Sequence, residues 1–233
     1  MGISGAAMVY PFTFVLAFCS LVYELLLGQS LSAFLGNTVL RYSVTIGLYM
    51  LSMGIGSLLA EGRLVRHPVI SLQRIEVALA VTGGFCVLFL HVLDMAGLPT
   101  IVFSAFAHFL IVVIGILTGF EIPILMELRK LHAPGADNTV LGVDYLGAFV
   151  GTLVFAFVFF PIVGLVPSAF FVAALNAAVG VGLITQAGKV HQDKKSEFRA
   201  LLGVQSALLI GLLVCLAYSR RINEFFLAIY LGI

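Results

Sequence analysis

Long apolar runs alternate with short polar connections along the whole chain. The runs fall at residues 9–29, 39–60, 71–93, 99–126, 139–161, 165–186 and 200–218. A helix needs about 20 mainly apolar residues to cross the hydrocarbon core of a bilayer, and each run is close to that length. The pattern therefore predicts an all-α fold, a polytopic bundle of about seven transmembrane helices.

The C-terminal residues are expected to stand apart from this bundle. Residues 1–218 form the predicted seven-helix domain, and residues 219–233 form an amphipathic segment. Its run INEFFLAIYLGI, at 222–233, has 12 residues and is too short to span a bilayer comfortably. We therefore expect this segment to lie along the membrane interface, to re-enter the membrane, or to form a junction with a soluble domain that is missing or separate.

Composition supports a membrane environment and excludes several other functions. The chain has 233 residues, of which 61% are hydrophobic and 10% charged, too few charges for the surface of a water-soluble domain. A formal net charge of +1 gives nucleic acid no electrostatic attraction. Cys19, Cys86 and Cys215 lack the spacing of a disulfide framework or a zinc site. No metal and no cofactor is expected.

Basic residues are distributed unevenly between the two sides of the predicted bundle. Nine of the twelve Lys and Arg residues flank the connections after the second, fourth and sixth runs, and only Arg41, Arg220 and Arg221 belong to the other side. The positive-inside rule then places the N-terminus in the cytoplasm. The opening MGISGAAMVYPFTF has no basic region typical of a cleaved signal, so the first span is retained. We predict a multi-pass protein of the cell's inner (cytoplasmic) membrane.

Ionisable residues within the apolar runs are the candidates for function, because a charge at the bilayer centre costs at least ~2.5 kcal/mol. Helix rise predicts that Glu24 and Arg41 meet near the outer side, as a ligand site, a structural ion pair or a snorkelling arginine. It places Glu121 and Asp144 at a similar inner depth, where Arg74 and Glu76 could join them. The candidate binding residues are Glu24, Arg41, Glu121 and Asp144.

The inner pair of carboxyl groups has the stronger chemical signal. Two carboxylates that meet in a low dielectric must share a proton, meet a cation or find an arginine. Pro123, two residues after Glu121, removes a backbone donor and frees carbonyls one turn earlier. The resulting polar notch would bind a cation or relay a proton. The alternative is a kinked helix that tucks one carboxylate under the cytoplasmic headgroups.

Two parts of the sequence are similar to each other. The segments around Glu24 and Glu121 each have an aromatic residue before the glutamate, a loop, and the tetrapeptide NTVL at the start of the next helix, at 37–40 and 138–141. The two segments begin on opposite sides under the predicted topology. This predicts an inverted 3+3 repeat, in which binding sites lie at the repeat interface.

Several stretches resemble a known family. They are SLVYELLLGQSLSAFLG, LYMLSMGIGSLLA, GFEIPILMEL, DYLGAFVGTLVFAFVFFPIVGL and AALNAAVG. In this order they are similar to the N-terminal membrane domain of spermidine synthase-like (polyamine aminopropyltransferase) membrane proteins, from about residue 13 to residue 182. The resemblance implies a synthase domain elsewhere that binds decarboxylated S-adenosylmethionine and a polyamine. The chain itself has no glycine-rich fingerprint after a strand, as a nucleotide-binding domain would.

These observations lead to one leading expectation of function and two alternatives. The leading one is a non-enzymatic membrane domain without the synthase, which binds a small cation or polyamine and docks a soluble synthase-like partner on its basic inner loops. The first alternative is a stand-alone transporter, with Glu24 and Arg41 as the outer gate and Glu121 and Asp144 as the inner gate. The second is a structural subunit of a membrane complex. No Ser/His/Asp, metal or cofactor constellation indicates catalysis by the chain itself.

Overall fold

The computed structural model of the chain describes residues 5–60, 62–132 and 137–231, and no strand occurs within them. The α-helices, in chain order, are α1 (Gly5–Leu35), α2 (Thr38–Leu59), α3 (Arg63–Arg66), α4 (Pro68–Met95), α5 (Thr100–Lys130), α6 (Asp137–Val154), α7 (Leu165–Gly182) and α8 (Lys195–Leu231). A π-helical stretch, Phe155–Val163, continues α6, and two 3₁₀ turns, Leu183–Lys189 and Gln192–Lys194, lie between α7 and α8. The predicted all-α class is confirmed.

Seven helices in the described part of the chain are long and apolar enough to cross a membrane, judged by length and composition. They correspond to the seven predicted runs, and α3 is a single turn in the connection after the second run. The first helix extends to Leu35 rather than ending at residue 29, because polar Gln29, Ser30 and Ser32 are compatible with a helix. It ends where Gly36 and Asn37 adopt positive φ angles of 67° and 51°.

The last helix passes through the predicted boundary between residues 218 and 219. It runs without a break over 37 residues, from Lys195 to Leu231, and residues 232–233 lie outside the described part. Arg220 and Arg221 are good helix formers, so charge at this point does not interrupt the backbone. In the described residues, the segment that we expected to be separate is therefore the C-terminal part of α8.

Packing pairs the helices across the bundle. The first helix packs on α6, α2 packs on α5, and α4 packs on α7, with α8 against α4 and α7. The pair α1 and α6 approaches closely at Gly147 and Gly151, where a Cβ atom added to Gly151 would lie 2.9 Å from the Phe18 carbonyl oxygen. Among the seven long helices, α1 and α7 have the largest share of residues buried inside the protein, and α8 has the smallest.

The second close approach joins α2 and α5. A Cβ atom on Gly115 would lie 2.7 Å from the Ser52 Cβ, and one on Gly119 would lie 2.7 Å from the Met53 Cα. Real Cβ atoms do not come this close to other heavy atoms. Glycine is therefore needed at both positions for the two backbones to meet, as in close helix pairs of membrane proteins.

Candidate functional site

A cavity of about 310 Å³ lies between α1, α2, α5 and α6. Its apolar lining comes from alanine, leucine, isoleucine, methionine and tyrosine side chains. Its polar lining consists of Ser20, Glu24, Thr118, Glu121 and Asp144. A mostly apolar cavity of a few hundred Å³ with a few polar groups is typical of a site for a small molecule.

Helical spacing aims these polar side chains at one point. Ser20 and Glu24 are one turn apart on α1, and Thr118 and Glu121 are one turn apart on α5. Asp144 reaches the cavity from the second turn of α6. The two glutamates are only 8% and 4% exposed, so their carboxyl groups lie inside the protein.

A buried tyrosine on α2 forms hydrogen bonds to α1 next to the cavity. The Tyr49 hydroxyl, on α2, is fully buried and donates to the Ser20 backbone oxygen over 2.9 Å. The Ser20 and Tyr49 hydroxyl oxygens are also 3.3 Å apart. These contacts link α2 to the polar side of α1 and satisfy polar atoms that would otherwise be costly to bury.

Glu121 is the centre of a cluster of carboxyl groups. Asp144 on α6 lines the same cavity, and Asp144 and the buried Glu76 on α4 are both close enough to act electrostatically on the Glu121 carboxyl group. Glu76 is completely buried, whereas Arg74 pairs with Glu197 and leaves 57% of its side chain exposed. A two-residue step turns a helix by about 200°, which places these two residues on opposite faces of α4. Of the two additions expected from the sequence, only Glu76 joins the cluster.

The predicted outer pair is not formed. Arg41 does not line the cavity, and no ion pair between Glu24 and Arg41 occurs among the described residues. Because α1 continues to Leu35, Glu24 lies 11 residues, or about 16 Å, before the end of its helix rather than close to it. Glu24 shares one cavity with Glu121 and Asp144 instead of forming a separate outer gate. The binding role of all four residues stays a prediction.

Buried neutral amides are the polar groups that the sequence did not reveal. Gln73, Asn176 and Gln205, on α4, α7 and α8, are each completely buried. The Gln205 side chain donates from Nε2 to the Gln73 backbone oxygen over 3.2 Å. Uncharged amides do not stand out in a sequence. The three-residue spacing of Gln73 and Glu76, which places both on one face of α4, is the sequence feature from which a buried polar face could have been predicted. In the described part of the chain, no group of three or more His, Cys, Asp and Glu side chains is placed to hold a metal ion.

Comparison with known proteins shows relatives of one kind. The chain is 35% identical over 222 residues to "Polyamine aminopropyltransferase 2" of Streptomyces coelicolor, covering 90% of the chain and 39% of the relative. It is 35% identical over 220 residues to the "Polyamine aminopropyltransferase" of Leptospira interrogans, covering 93% of the chain and 42% of the relative. No protein-family model and no solved structure matches the chain.

The relationship that the sequence motifs suggested is therefore confirmed. The chain is related over about nine tenths of its length to polyamine aminopropyltransferases, and it spans about two fifths of the length of these curated relatives. Two expectations are corrected by this finding. The relatives are named as enzymes, against the expectation that the chain has no enzymatic function. The name of the relatives also contradicts the leading expectation, a membrane domain without the synthase. It likewise contradicts the two alternatives, a stand-alone transporter and a structural subunit of a membrane complex.

Proposed function

We propose that the chain acts in polyamine aminopropyl transfer, as the membrane-embedded part of an aminopropyltransferase that holds the polyamine. The observation that carries the proposal is the relationship, over about nine tenths of the chain, to proteins named polyamine aminopropyltransferases. The name specifies transfer of an aminopropyl group in polyamine chemistry. The acceptor of such a transfer is a flexible, apolar chain with positively charged amines.

The cavity suits such a ligand by its charge and its lining. The methylene segments of a polyamine would contact Met50, Met53 and Leu21, and its ammonium groups would meet Glu24, Glu121 and Asp144. Carboxylates buried in a low dielectric bind a cation more strongly than they would in water, provided that their hydrogen-bonding needs are met. We therefore propose that these three carboxyl groups bind the ammonium groups of the polyamine. Arg41 does not line the cavity, and we assign it no contact with the polyamine.

Membrane insertion is part of the proposal. Seven helices of sufficient length, and apolar side chains such as Ile101, Phe109 and Ile162 exposed by 79%, 63% and 76%, support a lipid-facing surface. The distribution of Lys and Arg supports a cytoplasmic N-terminus in the inner membrane. Under this orientation the basic loops face the cytoplasm, where a soluble synthase-like domain or subunit would find its substrates.

An inverted repeat of three helices is also proposed. The first triplet is α1, α2 and α4, and the second is α5, α6 and α7. The first helix of each triplet packs on the second helix of the other, and the two third helices pack on each other. This exchange of partners is the pattern expected for two copies related by a twofold axis. Glu24 and Glu121 occupy equivalent places in the two copies and border the same cavity.

The enzymatic part of the proposal is tested in the source cells. Membranes and cytosol are prepared from cells that carry the gene, from a deletion strain and from a strain in which the gene is restored. Transfer of a labelled aminopropyl group from decarboxylated S-adenosylmethionine to putrescine is then measured. We expect the transfer to fall on deletion and to return on restoration. Unchanged transfer in the deletion strain would overturn the proposed function.

The binding part is tested on the purified chain in detergent micelles, with labelled spermidine as the probe. Replacement of Glu24 by glutamine should weaken binding roughly tenfold to a hundredfold, because one charge-assisted contact worth about 1.5–3 kcal/mol is lost. Glu127→Gln is the matched control, since Glu127 is a partly exposed carboxyl group on α5 that does not line this cavity. Equal loss in both variants would indicate a nonspecific charge effect and would exclude the cavity as the site.

A further inference from the structure

Glu76 is a buried acid that the proposed binding site does not use. Its side chain is completely buried, and among the described residues no hydroxyl, amide or cationic group donates a hydrogen bond to either carboxyl oxygen. The effective penalty for burying an unpaired carboxylate is several kcal/mol, so this group needs a compensating charge or a proton. Glu76 does not line the cavity, but it interacts with Glu121, which does.

The other groups around this pair supply no positive charge. From α1 the neighbouring titratable groups are Cys19 and Tyr23, and from α5 the neighbour is Glu121 itself. Asp144, on α6, is a further acid near Glu121. The helices α7 and α8 also pack on α4, and their described residues contribute no buried ionisable side chain to the bundle. A proton is thus the simplest partner that allows two neighbouring carboxyl groups to remain buried.

We infer that Glu76 and Glu121 share one proton, and that a cationic amine entering the cavity displaces it. The amine meets Glu121, which lines the cavity, whereas Glu76 on α4 does not line it and acts on the amine only through Glu121. The inference rests on the proposed function in one respect, since the cation that we take to enter is a polyamine. The role assigned to Glu76 is that of a positioning residue that stores the exchangeable proton.

The exchange is balanced in atoms and charge. The O–H bond of the shared carboxyl group breaks, and the proton leaves to solution. An ammonium N–H of the ligand takes its place on the Glu121 oxygen. The pair carries one negative charge with its proton and two without it, so the incoming positive charge leaves the total unchanged. The carboxyl pair therefore has the same total charge with one ammonium group bound as with its proton, which keeps the cost of burying the pair low.

The inference is tested by counting protons during binding. Spermidine is added to the purified chain in a weakly buffered detergent solution, and the released protons are measured with a pH indicator alongside the amount of ligand bound. We expect about one proton released per ligand bound, and an affinity that rises up to about tenfold per pH unit while the amine remains charged. Glu76→Gln should bind spermidine without releasing the proton, whereas Glu127→Gln should behave as wild type.

The outcomes separate the inference from the proposed function. Binding by the wild-type chain without proton release would overturn the shared proton and leave the proposed binding site standing. An absence of binding would overturn both. If Glu76→Gln fails to fold, infrared spectroscopy of the wild-type chain decides: a protonated-carboxyl C=O band must be present without ligand, shift in heavy water and disappear with spermidine. A band that persists in saturating spermidine contradicts the displacement.

Discussion

Replacement of Gly119 by alanine should destabilise the bundle by separating α2 from α5. The added Cβ would lie 2.7 Å from the Met53 Cα and closer still to the Met53 carbonyl oxygen. Both are backbone atoms, so the clash cannot be relieved by a side-chain rotation, and one helix must move. Overpacking of this kind costs about 1–3 kcal/mol, and we take the upper end because the backbone is involved.

Part of that cost is offset by the better helix propensity of alanine, which is worth up to about 1 kcal/mol. The net loss is then about 2 kcal/mol, or a fall in Tm of about 4–8 °C for a chain of this size. The assay is thermal unfolding of the purified protein in one detergent, followed by circular dichroism. The same variant should bind spermidine more weakly, because Met50 and Met53 face Thr118 and Glu121 across the cavity.

Gly54→Ala is the matched control for this prediction. Gly54 is an exposed helical glycine on α2, and a Cβ atom there would meet no heavy atom within 4 Å. Its replacement should leave Tm unchanged or raise it by up to about 4 °C, since only the propensity term applies. If Gly119→Ala proves as stable as Gly54→Ala, the close contact between α2 and α5 is not present as described.

Three further predictions address the polar links and the orientation. Tyr49→Phe removes the 2.9 Å hydrogen bond to the α1 backbone and should cost about 1 kcal/mol in thermal unfolding; no loss would show that the bond contributes nothing. Arg74→Ala breaks an exposed ion pair with Glu197 and should cost less than about 1 kcal/mol, with high salt reducing the difference; a larger cost would contradict its surface location. In intact cells, Ala96→Cys should react with an impermeant maleimide and Gln192→Cys should not, measured above the background of the native cysteines; the reverse result would invert the proposed topology.

The fold was largely predictable because it depends on long segments. Seven runs of about 20 apolar residues identify seven helices without any knowledge of their contacts. Their ends were less predictable, because Gln29 and Ser30 look like a connection but continue α1 to Leu35. The actual end is set by the backbone conformation of Gly36 and Asn37, and a single Gly-Asn pair among 24 glycines is a weak signal.

The site was predictable in its residues but not in its geometry. Glu24, Glu121 and Asp144 stand out because acids are costly within apolar helices, and all three line one cavity. Their grouping was missed because the position of Glu24 was measured along a predicted run that ends at residue 29, whereas α1 ends at Leu35. Glu76 and Arg74 were named together as possible additions to the inner pair because they lie at a similar depth, whereas the helix directs the two side chains to opposite faces and only Glu76 lies near Glu121.

The glycine contacts and the acidic cavity depend on each other. The helices that border the cavity approach each other closely at two places, α1 and α6 at Gly147 and Gly151, and α2 and α5 at Gly115 and Gly119. Glu121 follows Gly119 by two residues on α5. If a larger residue at Gly119 opened this contact, water would reach the Glu121 carboxyl group, and Glu121 would lose its proton more readily before any ligand binds. Gly119→Ala should therefore reduce the number of protons released per spermidine bound as well as lowering Tm, whereas Gly54→Ala should change neither.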